Sequence, residues 1–168
     1  MKKMILCAIC AICGFTTANA QKFGHVNTQE IMQALPEVTK MQADMKTLQE
    51  QYAADLKSMQ DEIQKKGDAF DKEQATLPEN IKQRRQQEIQ EMIQKYQQSA
   101  QDNEQALQKA YNEKMEPIQK KVMDAINAIG QGGGYVYIMQ SGAGVPLYIS
   151  TTLSTDVTAE VKAKLGIK

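Results

Sequence analysis

Residues 38–70 read VTKMQADMKTLQEQYAADLKSMQDEIQKKGDAF, and their apolar positions fall at Val38, Met41, Met45, Leu48, Tyr52, Leu56, Met59, Ile63 and Phe70. The intervals are 3, 4, 3, 4, 4, 3, 4 and 7 residues, a heptad spacing with one inserted turn between Tyr52 and Leu56. That is the period of a helix presenting a single apolar seam to a partner helix. A second seam follows at Ile89, Met92, Tyr96, Ala100, Leu107, Tyr111, Met115, Ile118, Val122 and Ile129. Between the two, Thr76-Leu77-Pro78-Glu79 sets a capping threonine, a proline in the first turn and a glutamate at the third position, which predicts a new helix starting there.

A turn at residues 77–78 makes an antiparallel hairpin in which the numbers of facing residues sum to about 155. The seams obey this relation. Ile63 with Met92, Met59 with Tyr96 and Leu48 with Leu107 give 155, and Leu56 with Ala100, Met41 with Met115 and Val38 with Ile118 give 156. Tyr52 opposite Asn103 and Phe70 opposite Arg85 are the poor matches, so the hairpin should be loosest at mid-length and near its tip. At ~1.5 Å per residue, Pro36 to Leu77 forms an arm on the order of 60 Å long.

The flanks are different in kind. Lys2 and Lys3, the apolar run Met4 to Phe15 and the small-x-small triplet Ala18-Asn19-Ala20 have the layout of a secretory signal peptide, with a run too short to span a bilayer. Cys7, Cys10 and Cys13 follow Leu6, Ile9 and Ile12 rather than the small residue a lipoprotein signal requires, so no lipid anchor is expected. Cleavage after Ala20 would start the mature chain at Gln21 and remove all three cysteines, leaving 18 basic against 20 acidic residues and a net charge of −2. Without disulfides, stability must come from packing or from association with other chains.

After the cleavage site, Phe23-Gly24-His25-Val26 reads as a short strand, and Asn27 with Glu30 as a capping box for a helix through Ile31 and Leu35. From Gly130 the chain turns glycine-rich. Gly134 to Met139 reads as a strand, Ser141 to Gly144 as a turn, Val145 to Ile149 as a returning strand, and Val157, Val161 and Leu165 as one face of a closing helix stopped by Gly166. The expected fold class is α+β: a helical-hairpin arm, residues 36–117 with its tip near 76–79, on a discontinuous β-rich body of residues 21–35 and 118–168. Three short strands leave open edges and too small a buried face to stand alone. Symmetric association through Val26, Val136, Ile138, Leu147 and Ile149 would close them.

The composition narrows function. With 168 residues, 42% hydrophobic, 5% aromatic and 24% charged, one modest domain is expected and a membrane bundle is not. The balanced charge, with Lys82, Arg84 and Arg85 as its dense basic cluster, gives no basis for nucleic-acid binding. Gly130-Gln131-Gly132-Gly133-Gly134 leads from helix to strand, the reverse of the order phosphate binding needs, and reads as a helix stop and hinge. His25, the single histidine, sits in a strand with no nearby acid, and Asp61-Glu62 and Asp71 with Glu73 lie on helical arms without a pocket. No catalytic, cofactor or metal site is therefore assigned, and the chain does not read as an enzyme. The glutamines from Gln83 to Gln108 read as a solvated helix face, with a dedicated binding surface as the alternative. The methionines read as seam packing, though a flexible, polarizable Met-bearing surface can also accept partners of many shapes.

Taken in order, Lys22 to Ile31, the long hairpin, Pro117-Ile118 with Ala125-Ile126 leading into Gly134 to Ile138, and Asp156 to Val161 with Leu165 resemble the Skp/OmpH-like family of periplasmic chaperones across essentially the whole mature chain. The resemblance implies a homotrimer with a β-barrel body and three arms enclosing unfolded outer-membrane proteins, without ATP. It implies location in the periplasm. Apolar side chains on the arm, Met59, Phe70, Ile81, Met92, Ile93 and Tyr96, are the expected client contacts. Well-known members are strongly basic, with cationic arms linked to lipopolysaccharide and anionic membranes; this mature chain is not basic, so that contact is not expected. The alternative is a structural coiled-coil envelope protein without clients, its arms closed into a parallel bundle.

Overall fold

The computed structural model describes residues 21–142 and 148–167; the expected signal peptide and most of the expected strand Val145 to Ile149 lie outside them. In chain order the elements are β1 (Lys22–Val26), α1 (Thr28–Ala34), α2 (Pro36–Glu73), α3 (Glu79–Gly133), β2 (Tyr135–Gln140), β3 (Ser154–Asp156) and α4 (Thr158–Lys164). Helix α1 opens as the capping pattern dictates, with the Glu30 amide donating to Asn27 Oδ1 at 3.1 Å. Leu35 leaves the helical region (ψ 123°) because the ring of Pro36 crowds the residue before it. Pro36 then starts α2, where its missing amide proton is not needed.

Helices α2 and α3 run antiparallel, 38 and 55 residues long. Across them Asp44 pairs with Lys114 at 2.8 Å and Glu73 with Arg85 at 2.6 Å, and Glu37 meets Lys121 and Lys66 meets Glu88. The residue numbers of these pairs sum to between 154 and 158, close to the register the seams predict. Thr76 does not cap α3. Its hydroxyl donates to the Glu73 carbonyl at 3.0 Å, closing the end of α2, and α3 starts at Glu79 with no side-chain cap. Helix α3 also passes through Pro117 without ending. The buried Ile118, Val122 and Ala125 anchor it beyond that point, so a single helix belongs to both arm and body.

Packing is concentrated at the root of the arm. Val26, Ile31, Leu35, Val38, Met41, Ile118, Val122, Ala125, Val157 and Val161 form one buried cluster to which both ends of the chain contribute. Between Gln42 and Pro117 the only buried residue is Phe70, 8% exposed. The tip, expected to be loose, thus contains the one buried side chain of the outer arm, flanked by the Glu73–Arg85 and Lys66–Glu88 pairs.

The sheet has the order β2-β1-β3, with both outer strands parallel to β1. Of the expected returning strand, Tyr148 and Ile149 belong to no strand and the rest lies outside the described residues; among the described residues the third strand is Ser154–Asp156, running parallel to β1. A register shift opposite Lys22/Phe23 pairs Lys22 with Tyr135 but Phe23 with Tyr137, leaving Val136 as an inserted bulge residue. The bulge reverses the alternation, so Tyr135 and Ile138, three residues apart, both pack on the core. Gly24 permits this, since a Cβ there would lie 3.1 Å from Ile138 Cγ1 and from the Tyr135 ring. The glycine run acts as a helix stop: Gly134, at φ 65°, caps α3 in the left-handed region.

Candidate functional site

Two surfaces stand out, the outward face of the sheet and the grooves of the arm. The helices cover one side of the sheet; the other presents Phe23 beside Tyr137 and His25 beside Met139, as the strand register requires. The Phe23 and Tyr137 rings lie 4.8 Å apart at a tilt of 33°. With Tyr148, 81% exposed, and Leu153, 75% exposed, they line a cavity of about 200 Å³. This open apolar face is a candidate interaction surface.

Of the residues expected to join subunits, Val136 is 57% exposed, and Ile138 and Ile149 are half-buried. Leu147 lies outside the described residues. Val26 is corrected: at 2% exposure it is part of the subunit's own core and offers no surface to a neighbour. Sequence alternation from Val136 missed Tyr137 and Met139 because the bulge turns them, rather than Ile138, outward.

The outward face also carries polar groups. His25 Nδ1 lies 2.9 Å from Ser154 Oγ, and His25 Nε2 lies 3.9 Å from Asp156 Oδ2. His25 therefore has an acid neighbour after all, brought from the far end of the chain by the β1–β3 pairing. Asp156 Oδ1 accepts from the Thr158 amide at 2.9 Å and the Thr158 hydroxyl at 2.6 Å. Partial burial opposes the charge of Asp156 as the largest single influence. The two Thr158 bonds and the nearby His25 together outweigh it and hold the carboxyl below the usual carboxylate range. Among the described residues, no group of three or more His, Cys, Asp or Glu is placed to hold a metal ion.

On the arm, Met59, Ile63 and Met92 line one groove with Lys66, Glu88 and Lys95, enclosing about 290 Å³. Ile93 is 39% exposed, and Ile81 and Tyr96 are half-buried. Phe70 is corrected as an exposed contact, because it is folded into the tip. Nearer the root, the seam residues Met41, Met45, Leu107 and Tyr111 line a larger groove of about 470 Å³. Two isolated helices leave such seams wet on both flanks. The ion pairs across the arm are also solvated: hydrogen bonds from Lys121, Lys114 and Lys66 hold Glu37, Asp44 and Glu88 below the usual range while leaving them exposed.

This geometry is a long two-helix arm rising from a helix-backed parallel sheet. The family described as outer membrane protein (OmpH-like) matches residues 22–165, and the chain belongs to that family. Among solved structures, the fold is similar to the crystal structure of a Caulobacter crescentus protein described as a putative outer membrane chaperone (OmpH-like). The TM-score is 0.74 at 13% identity, covering 86% of this chain and 83% of that one. Comparison with curated proteins found no match. No helix among the described residues is long and apolar enough to cross a membrane.

Proposed function

We propose that the mature chain is a periplasmic, ATP-independent holdase. In this reading the signal peptide is cleaved after Ala20, residues 21–35 and 118–168 form a trimeric body, and residues 36–117 form arms that enclose unfolded outer-membrane proteins. The arm carries the reading: between Gln42 and Pro117 it buries only Phe70, so nearly all its side chains remain available to a client. Membership of the OmpH-like family supports it, as does the fold shared with a protein described as a chaperone.

Contacts spread along the arm at Met59, Ile81, Met92, Ile93 and Tyr96 suit a client that must later be released, since no deep hot spot holds it. The test is to dilute a denatured outer-membrane barrel protein into buffer with and without the mature chain and follow light scattering. Suppressed scattering without nucleotide is the expected result, and unchanged scattering overturns the reading.

A further inference from the structure

We propose that one flank of the arm, the flank that carries its glutamines, is the client surface, and that it takes extended unfolded polypeptide by the peptide groups of the client main chain. The inference rests on the holdase reading above and assigns the face and the chemistry of its client contact.

Successive residues of a helix turn by about 100°. When two antiparallel helices face each other through their seams, the residue after each seam position lies on the same flank of both, and the residue before it on the other. The grooves obey this relation. That of Met41, Met45, Leu107 and Tyr111 is rimmed by Gln42, Lys46, Gln49 and Gln108, each one position after a seam residue. That of Met59, Ile63 and Met92 is rimmed by Glu62, Glu88 and Lys95, each one position before.

The two flanks differ in composition. Along the seams from Met41 to Ile63 and from Ile89 to Tyr111, the position after the seam holds Gln42, Gln49, Gln60 and Gln64 on α2 and Gln90, Gln97, Gln101 and Gln108 on α3. The position before it holds a single glutamine, Gln51. That second flank is ionic, and the Asp44–Lys114, Glu37–Lys121 and Lys66–Glu88 pairs bridge the helices on it. Among the described residues, no side-chain hydrogen bond or ion pair joins α2 to α3 on the glutamine flank, whose glutamines are all exposed. Gln64 and Gln108 donate to Asp68 and Asn112 of their own helices. Solubility alone is met by charges, as the ionic flank meets it. A glutamine amide offers a donor and an acceptor on one neutral group, the same pair that a peptide group carries. An unfolded client repeats that pair at nearly every residue, so a row of neutral amides binds it without selecting for sequence or charge. Each such bond replaces one to water and gains little, so the row must be long. From Gln42 to Gln64 it runs about 33 Å, the length of about ten extended residues. Ile93 on this flank, 39% exposed, and Tyr111 in its groove, 42% exposed, meet the client's apolar side chains.

The test uses residues 21–168 and the light-scattering assay above. One variant combines Gln49→Ala, Gln60→Ala, Gln97→Ala and Gln101→Ala; the other, on the ionic flank, combines Lys40→Ala, Gln51→Ala, Asp55→Ala and Ser58→Ala. Alanine favours the helix, and neither variant alters the net charge. About tenfold more of the first variant should be needed to suppress scattering, and no more of the second than of the unaltered chain. A second measurement needs no variant. A synthetic peptide from one strand of the same barrel protein should bind the unaltered chain about tenfold more weakly when N-methylated at alternate residues, which removes amide donors and keeps every side chain. A glutamine variant as protective as the unaltered chain, equal losses in the two variants, or a peptide whose affinity survives N-methylation overturns the proposal and leaves the holdase reading standing. An unaltered chain that fails to suppress scattering overturns that reading instead, and this inference with it.

Discussion

The Asn27 amide donates a 2.9 Å hydrogen bond to the Thr158 hydroxyl, tying the cap of α1 to the start of α4 across 131 positions. The same hydroxyl donates to Asp156 at 2.6 Å, and Thr158 is buried. Thr158→Val keeps the shape and deletes both bonds, leaving the Asn27 amide without that acceptor. The expected cost is about 1–3 kcal/mol, read as a lower Tm with helix content unchanged in the folded state. An unaltered Tm would mean that water replaces the hydroxyl.

Acid should loosen the body through Asp156. Its carboxyl titrates below the usual range in the folded chain, so its contribution to stability is present above the ordinary carboxylate pKa, near 4, and is lost as pH falls through the lower folded value. Urea midpoints measured from about pH 5 down to about pH 3 should fall less in Asp156→Asn than in wild type. Asp44→Asn, by contrast, removes an exposed ion pair and should leave the midpoint at neutral pH unchanged.

Phe70 should act as a local clasp. Replacing a nearly buried Phe by Ala costs about 3 kcal/mol or more in a cavity that cannot collapse. Here the loss falls on the tip, where the surrounding turns open without disturbing the root cluster. Hydrogen exchange should quicken for amides flanking residues 70–85 in Phe70→Ala, while those of Ile118 to Ala125 keep their protection. Uniform acceleration along the chain would place Phe70 in one cooperative unit with the body.

Core and seam should respond differently to the same change. Ile31 is fully buried in the root cluster, so Ile31→Ala should cost about 2–5 kcal/mol. Leu107 lines an open groove, and Leu107→Ala should cost about 1 kcal/mol, because the lost methyl groups were already partly wet. Equal losses in thermal unfolding would show the arm to be drier than its grooves imply.

The difference between what could and could not be read from sequence follows from range. The hairpin was legible because a seam repeats over many turns and an antiparallel pairing imposes a constant sum of residue numbers. The Asn27 cap was legible because its partner, Glu30, is three residues away. β3 was not, since Ser154, Thr155 and Asp156 are polar and too few to alternate. The bulge at Val136 was also invisible, because it depends on the close approach of Tyr135 and Ile138 to Gly24, a residue on another strand. With β3 unseen, the meeting of His25 with Ser154 and Asp156 was unseen too. Phe70 was misjudged for a similar reason, since its seam position faces Arg85, yet the tip folds over it.

Shortening the arm separates assembly from client protection. Lys57 and Gln98 satisfy the facing relation of the hairpin, so deleting the segment between them and joining the stumps by a short turn preserves the register of what remains. The root cluster and the outward sheet face lie wholly outside the deletion. The shortened chain should sediment like the full one. It loses Met59, Ile63, Met92, Ile93 and Tyr96, together with the depth of any space between arms. Light scattering from a diluted, denatured barrel protein should then rise to the level seen without chaperone. If the shortened chain protects as well as the full one, clients bind at the root groove of Met41, Met45, Leu107 and Tyr111 or on the body, and enclosure between the arms is the wrong mechanism.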